Sequence, residues 1–179
     1  MIAYAISDSS TLNFKTLEID MKRFSSKADM IVYRDKSNQN YAQNAKKFLT
    51  QARRYPFVKI LLHSDYILAD KLGADGIHLK STQQHLIVKA KELGLFVVVS
   101  THSKEEALMA QEFGADMITF SPIFDTPNKG EPKGLNALNH VASMVDIPLI
   151  ALGGILTKEQ IVLCQKNGAE GFASIRWFS

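Results

Sequence analysis

Arg34 and Lys36 stand two residues apart in an extended-looking stretch, so their side chains share one face. With Lys129 they make a cationic cluster suited to phosphate oxygens, the arginine as a fork and each lysine as a point charge. Gly153-Gly154 lies just before a helical pattern, where bare backbone N–H groups can receive a phosphate. His102 can take or give a proton near neutral pH, and His78 sits inside an apolar run. Each has a plainer alternative: solvated charges, a tight turn, a histidine facing water at a helix start, and a hydrogen-bonded core histidine. What raises the chemical reading is where these residues fall relative to the strands.

A Gly-Ala-acidic phrase recurs at Gly73-Ala74-Asp75, Gly114-Ala115-Asp116 and Gly168-Ala169-Glu170, each time opening a short apolar run. Glycine closes a helix in the left-handed conformation, and the run after it reads as a buried strand. The pattern predicts strands at 2–6, 30–33, 58–62, 76–79, 95–100, 117–121, 148–152 and 171–175. Helices are predicted at 12–24, 41–54, 66–72, 82–93, 104–113, 135–144 and 158–167. Ser103 with Glu106 and Thr157 with Gln160 have the spacing of capping boxes. Alternating β and α segments of this number predict a compact (β/α)₈ barrel, a single domain over 1–179. An open doubly wound sheet is the weaker alternative, because no Gly-x-Gly-x-x-Gly follows the first strand.

In such a barrel the chemistry gathers where the strands end. Arg34, Lys36, His78, Ser100, His102, Gly153, Gly154, Ile175 and Arg176 all fall at or just beyond predicted strand ends. Thr126 and Lys129 sit in a long loop, 121–134, with Pro122, Pro127 and Pro132; such loops often bind or cover ligands. The chain stops at Trp177-Phe178-Ser179, where a final helix would begin. A barrel without that helix needs a partner subunit, as in a homodimer, or rearranged packing through Trp177 and Phe178.

The chain has 179 residues, 46% hydrophobic and 22% charged, with a net charge of +3. The basic residues are scattered, which argues against a nucleic-acid footprint. No apolar stretch is long enough to span a membrane, and the N-terminus reads as a strand rather than a signal peptide. The single cysteine, Cys164, suits packing in a reducing, cytoplasmic setting.

Several ordered strings resemble the thiamine phosphate synthase/TenI superfamily. They are Tyr33-Arg34-Asp35-Lys36, Gly73 through Leu79, Ser100-Thr101-His102-Ser103 with Glu105-Glu106-Ala107, Pro122-Ile123-Phe124-Asp125-Thr126 with Lys129, and Ile150-Ala151-Leu152-Gly153-Gly154-Ile155. The resemblance runs from Ile2 to about Ile175 and implies the same (β/α)₈ barrel. It implies one of two reactions on phosphorylated thiazole or thiamine-related small molecules. The synthase joins a pyrimidine pyrophosphate to a thiazole phosphate and uses Mg²⁺. TenI-type members isomerise a carboxylated thiazole phosphate without metal. By position, the resemblance puts Arg34, Lys36 and Lys129 on pyrophosphate contacts, and His78 and Ser100 near the pyrimidine. Thr126, Gly153 and Gly154 fall on the thiazole-phosphate side, and His102 on the proton-transfer histidine.

The departures separate the branches. The pattern's Asn-Asp after strand three is His63-Ser64 here, and its second aspartate after strand four is Gln83. Both carboxylates expected to hold Mg²⁺ are therefore absent, and Mg²⁺ favours carboxylate and phosphate oxygens. Val32 replaces an expected glutamine, and Arg176 an expected serine. The reading that follows is a metal-free, TenI-like thiazole tautomerase with His102 as its proton carrier. The alternatives are a divergent synthase and a protein that binds a thiamine precursor without catalysis.

Overall fold

The computed structural model describes residues 1–36 and 38–179. Strands β1 (Ile2–Ser7), β2 (Met30–Tyr33), β3 (Lys59–His63), β4 (Gly76–Leu79), β5 (Phe96–Thr101), β6 (Met117–Phe120), β7 (Leu149–Leu152) and β8 (Gly171–Ser174) form one closed parallel barrel in chain order. Helices α1 (Leu17–Ser25), α2 (Tyr41–Ala52), α3 (Tyr66–Lys71), α4 (Ile87–Glu92), α5 (Lys104–Glu112), α6 (Gly134–Ala142) and α7 (Lys158–Lys166) alternate with the strands. Closure is carried by β1, which pairs Tyr4 with Met30 on one side and with Ala173 on the other.

Period-two alternation divides the strand residues into two layers. Tyr4, Ile6, Met30, Val32, Leu61, Val98, Met117, Ile150 and Ala173 fill the barrel interior. Ile31, Tyr33, Leu62, Ile77, Val97, Val99, Ile118, Phe120 and Phe172 face outward and pack with the helices. The same alternation carries past the strand ends, so that each strand aims its next inward side chain into the upper rim.

The Gly-Ala-acidic phrases lie on the opposite rim. Their glycines have φ of +67°, +91° and +90°, as helix termination requires. Asp75 accepts a hydrogen bond from Ile60 N, and Asp116 accepts one from Val97 N while pairing with Lys91 at 2.7 Å. Asp29 does the same for Ala3 N, without a glycine before it. One carboxylate thus fastens the start of the preceding strand, in β1, β3 and β5.

Two predicted helices begin later or are broken. The first starts at Leu17 rather than at residue 12, because residues 8–16 fold into turns, with Asp20 accepting from Asn13 N. The fourth is a 3-10 turn, Ser81–Leu86, followed by α4. Ser103 and Thr157 both cap as expected; Glu106, however, reaches back to His102 N rather than to Ser103 N. A 3-10 turn, Arg176–Phe178, stands where an eighth helix would begin. It buries Phe178 completely against Phe172, ring centroids 5.7 Å apart and nearly parallel, with Trp177 edge-on at 6.0 Å. Rearranged packing therefore covers this part of the barrel within the chain.

Phe178→Ala should cost about 3 kcal/mol in urea unfolding, the usual loss for a buried aromatic truncated to alanine. A loss below about 1 kcal/mol would mean that the terminal turn does not close the barrel wall.

Candidate functional site

A cavity of about 630 Å³ opens at the C-terminal rim of the strands. The alternation explains its lining. Along β4 the inward positions are His78 and then Lys80, along β5 Ser100 and then His102, and beyond β2 Arg34 and then Lys36. Thr126 and Lys129 reach it from the β6–α6 loop, Gly153 and Gly154 from the end of β7, and Ile175 and Arg176 from the end of β8. All the site residues read from the sequence therefore lie around one cavity.

The floor is a buried hydrogen-bond chain. The Tyr4 hydroxyl lies 2.9 Å from His78 Nδ1, and His78 Nε2 lies 2.9 Å from Ser100 Oγ. Burial holds the Tyr4 phenol protonated. With the phenol donating to Nδ1, Nε2 carries the imidazole proton and donates to Ser100, whose own hydroxyl hydrogen is left for the cavity. Burial, aided by Arg34, lowers the His78 pKa to about 3. Burial also lowers His63 to about 2, helped by His78, Arg34, Lys80 and Lys36. Both rings are therefore neutral at pH 7. His78 is thus both a hydrogen-bonded core histidine and part of the cavity wall.

His102 is placed differently. Its ring is exposed at the start of α5, and Nδ1 lies 3.0 Å from the Ser121 carbonyl. A carbonyl only accepts, so this contact requires a hydrogen on Nδ1, and the Ser121 hydroxyl lies 3.3 Å from the same nitrogen. The ring stands on the rim of the cavity.

The opposite wall is backbone. Gly153 and Gly154 have φ of +100° and +67°. A Cβ on Gly153 would lie 2.7 Å from Pro122 Cα, and one on Gly154 2.5 Å from the Asp125 carbonyl. The pair is required because the β6–α6 loop crosses directly over it, with Phe124 N donating to Gly153 O at 3.0 Å. The loop is also tied at its far end, where Lys133 N donates to Pro122 O. Among the described residues, no hydrogen bond engages the N–H of Gly154 or Ile155. Those donors, with the cationic Arg176 on the next strand end, make this wall suitable for an anion.

The third wall is cationic. Burial lowers the Arg34 pKa, while Asp8 opposes that effect. Arg34, burial, Lys129 and Lys80 together lower that of Lys36. Lys80 and His63, which stand at the ends of β4 and β3, line the cavity as well. Among the described residues no carboxylate lines the cavity, and no group of three or more His, Cys, Asp or Glu side chains converges. Ser64 sits at φ +69°, its carbonyl accepting from Gln83 Nε2 and its hydroxyl 2.8 Å from His63 Nδ1. Asp65 is turned outward as the cap of α3, accepting from Leu68 N.

The family model described as thiamine monophosphate synthase matches residues 3–178. The chain is 36% identical to the Aquifex aeolicus protein named "Putative thiamine-phosphate synthase 2", covering 98% of this chain and 96% of that one. It is 31% identical to the thiamine-phosphate synthase of Syntrophomonas wolfei, covering 96% and 85%. Thiamine phosphate pyrophosphorylase from Pyrococcus furiosus superposes with a TM-score of 0.82 at 27% identity, covering 97% of this chain and 85% of that one.

The two neutral histidines set a pH dependence. Their folded values lie below the ordinary 6.5, so below about pH 6.5 the unfolded chain binds protons that the folded chain refuses. Their contribution to stability is complete above that pH and is lost as pH falls toward 3, at up to about 1.4 kcal/mol per pH unit for each ring. Urea midpoints measured between pH 7 and 4 should fall less steeply in His78→Gln than in the wild type. Equal slopes would show that His78 is not held neutral.

Proposed function

We propose a function from one premise: the chain belongs to the thiamine monophosphate synthase (TMP-TENI) family of thiamine biosynthesis. Within that family we read it as a TenI-like thiazole tautomerase that acts on a carboxylated thiazole phosphate. The phosphate would rest on the Gly153-Gly154 wall, with Arg176 and the Ile175 end of β8 beside it and Thr126 above. The thiazole ring would lie between that wall and the Ser100–His78 floor.

His102 is the proposed proton carrier. Its Nε2 lone pair takes the proton from the ring carbon, and that C–H bond breaks. The electron pair moves through the conjugated system to the exocyclic carbon. Nε2 then returns the proton there, forming the new C–H bond and leaving an aromatic ring. Atoms and charge balance with no co-reactant. Such acid–base work contributes roughly 10²- to 10⁴-fold in rate when the group is positioned.

The observation that carries this reading over the coupling reaction is the donor set. Coupling releases pyrophosphate and, in this family, uses Mg²⁺. Ser64 and Gln83 occupy the expected carboxylate positions, and their polar atoms are engaged with each other and with His63 and the Lys80 backbone. Asp65 is engaged as a helix cap. These residues do not fit Mg²⁺, a hard cation that prefers carboxylate oxygens. The second reading, a divergent thiamine phosphate synthase, is supported by the names of the relatives.

One assay pair separates them. With chelator present, the protein should aromatise the carboxythiazole phosphate, and His102→Ala should lose at least about 100-fold in kcat with a smaller change in KM. Thiamine phosphate formation from the pyrimidine pyrophosphate and thiazole phosphate, dependent on added Mg²⁺, would instead establish the synthase. Wild-type turnover in His102→Ala would remove that residue from the mechanism.

A further inference from the structure

The ladder between β7 and β8 ends with Leu152 opposite Ala173. Beyond it, the positive φ of Gly153 and Gly154 takes the chain out of the extended conformation, and the ladder goes no further. The next residue of β8, Ser174, continues the junction with its side chain. Its hydroxyl donates to the Ile155 carbonyl at 3.1 Å and accepts from Trp177 N at 3.1 Å. A carbonyl only accepts and a backbone N–H only donates, so the direction of both bonds is fixed. Ser174 is 7% exposed and lies in the cavity wall.

The two bonds join two parts of that wall. Trp177 belongs to the terminal 3-10 turn, so the hydroxyl braces the start of the turn, while Phe178 anchors its end on Phe172. Arg176 is thereby pinned on both sides. Ile155, held through its carbonyl, carries one of the two N–H groups that no hydrogen bond engages among the described residues, and Gly154 carries the other. One buried hydroxyl therefore sets the backbone of Arg176 relative to that of Gly154 and Ile155. We infer that Ser174 is a positioning residue for a phosphate monoester, holding the Arg176 turn and the Gly154–Ile155 N–H pair together as one cradle. The two N–H groups and the Arg176 guanidinium supply the donors; Ser174, whose hydrogen is already committed, supplies none. The inference rests on the reading of the glycine wall as the phosphate side, and it holds whichever reaction follows.

Titration calorimetry with thiazole phosphate as the only ligand tests this role without any turnover. Ser174→Ala should weaken binding about fivefold, and Arg176→Gln about tenfold, as loss of a charge-assisted contact does. Ser174→Thr and Ser174→Val have nearly the same shape and share any steric cost. The threonine variant, which keeps the hydroxyl, should therefore bind about fivefold more tightly than the valine variant. Urea midpoints of the same variants separate folding from binding, because a merely structural serine would lower the midpoint and leave the affinity unchanged. Wild-type affinity in Ser174→Ala, or equal affinities in the threonine and valine variants, with Arg176→Gln weakened, would overturn the positioning role alone. Wild-type affinity in both Ser174→Ala and Arg176→Gln, or no binding by the wild type, would overturn the glycine-wall reading with it.

Discussion

Closing eight parallel strands into one ring constrains everything else in this protein. Each strand must find a partner on both sides, so no edge is left open, and every strand must end on the same rim. The short strands of β2, β4, β6, β7 and β8, each of four residues, leave little hydrogen bonding to set the register. Asp29, Asp75 and Asp116 add to it by binding the backbone N–H at the start of the preceding strand. With register held at the lower rim, alternation decides which side chains appear at the upper one.

The upper rim is built from groups that burial has sorted by charge. The histidines below it, His63 and His78, are kept neutral because a charged imidazole in that setting would be desolvated and would face Arg34. The cations above remain at the cavity mouth, where water and ligands reach them. Neutral donors on the floor and positive charge at the mouth make a cavity suited to anions. His102 stands at that mouth, its Nδ1 held 3.0 Å from the Ser121 carbonyl.

The glycine wall shows one feature serving two purposes. Gly153 and Gly154 are needed because the β6–α6 loop passes too close for any side chain. Among the described residues, the same stretch leaves the Gly154 and Ile155 N–H groups without a hydrogen bond and beside the cavity. A substitution there would push against Pro122, Phe124 and Asp125 and so disturb the loop and the cavity wall together.

Much of the barrel was legible in the sequence, because its signals are local. Gly73, Gly114 and Gly168 mark helix ends, and buried parallel strands read as short apolar runs. The residues at strand ends, from Arg34 to Arg176, could be gathered because position along the chain predicts the rim. The first helix was misplaced because residues 8–16 satisfy their polar groups in turns that periodicity does not record. What only the tertiary structure decided lies in contacts between distant segments. Phe178 fills the barrel wall by stacking on Phe172, and Asp65 is committed to a cap. Lys80 and Lys129, far apart in the chain, bring their charges to Lys36. Sequence records which side chain each strand offers, but the field at a point is a sum over neighbours, and only the closed ring determines which neighbours those are.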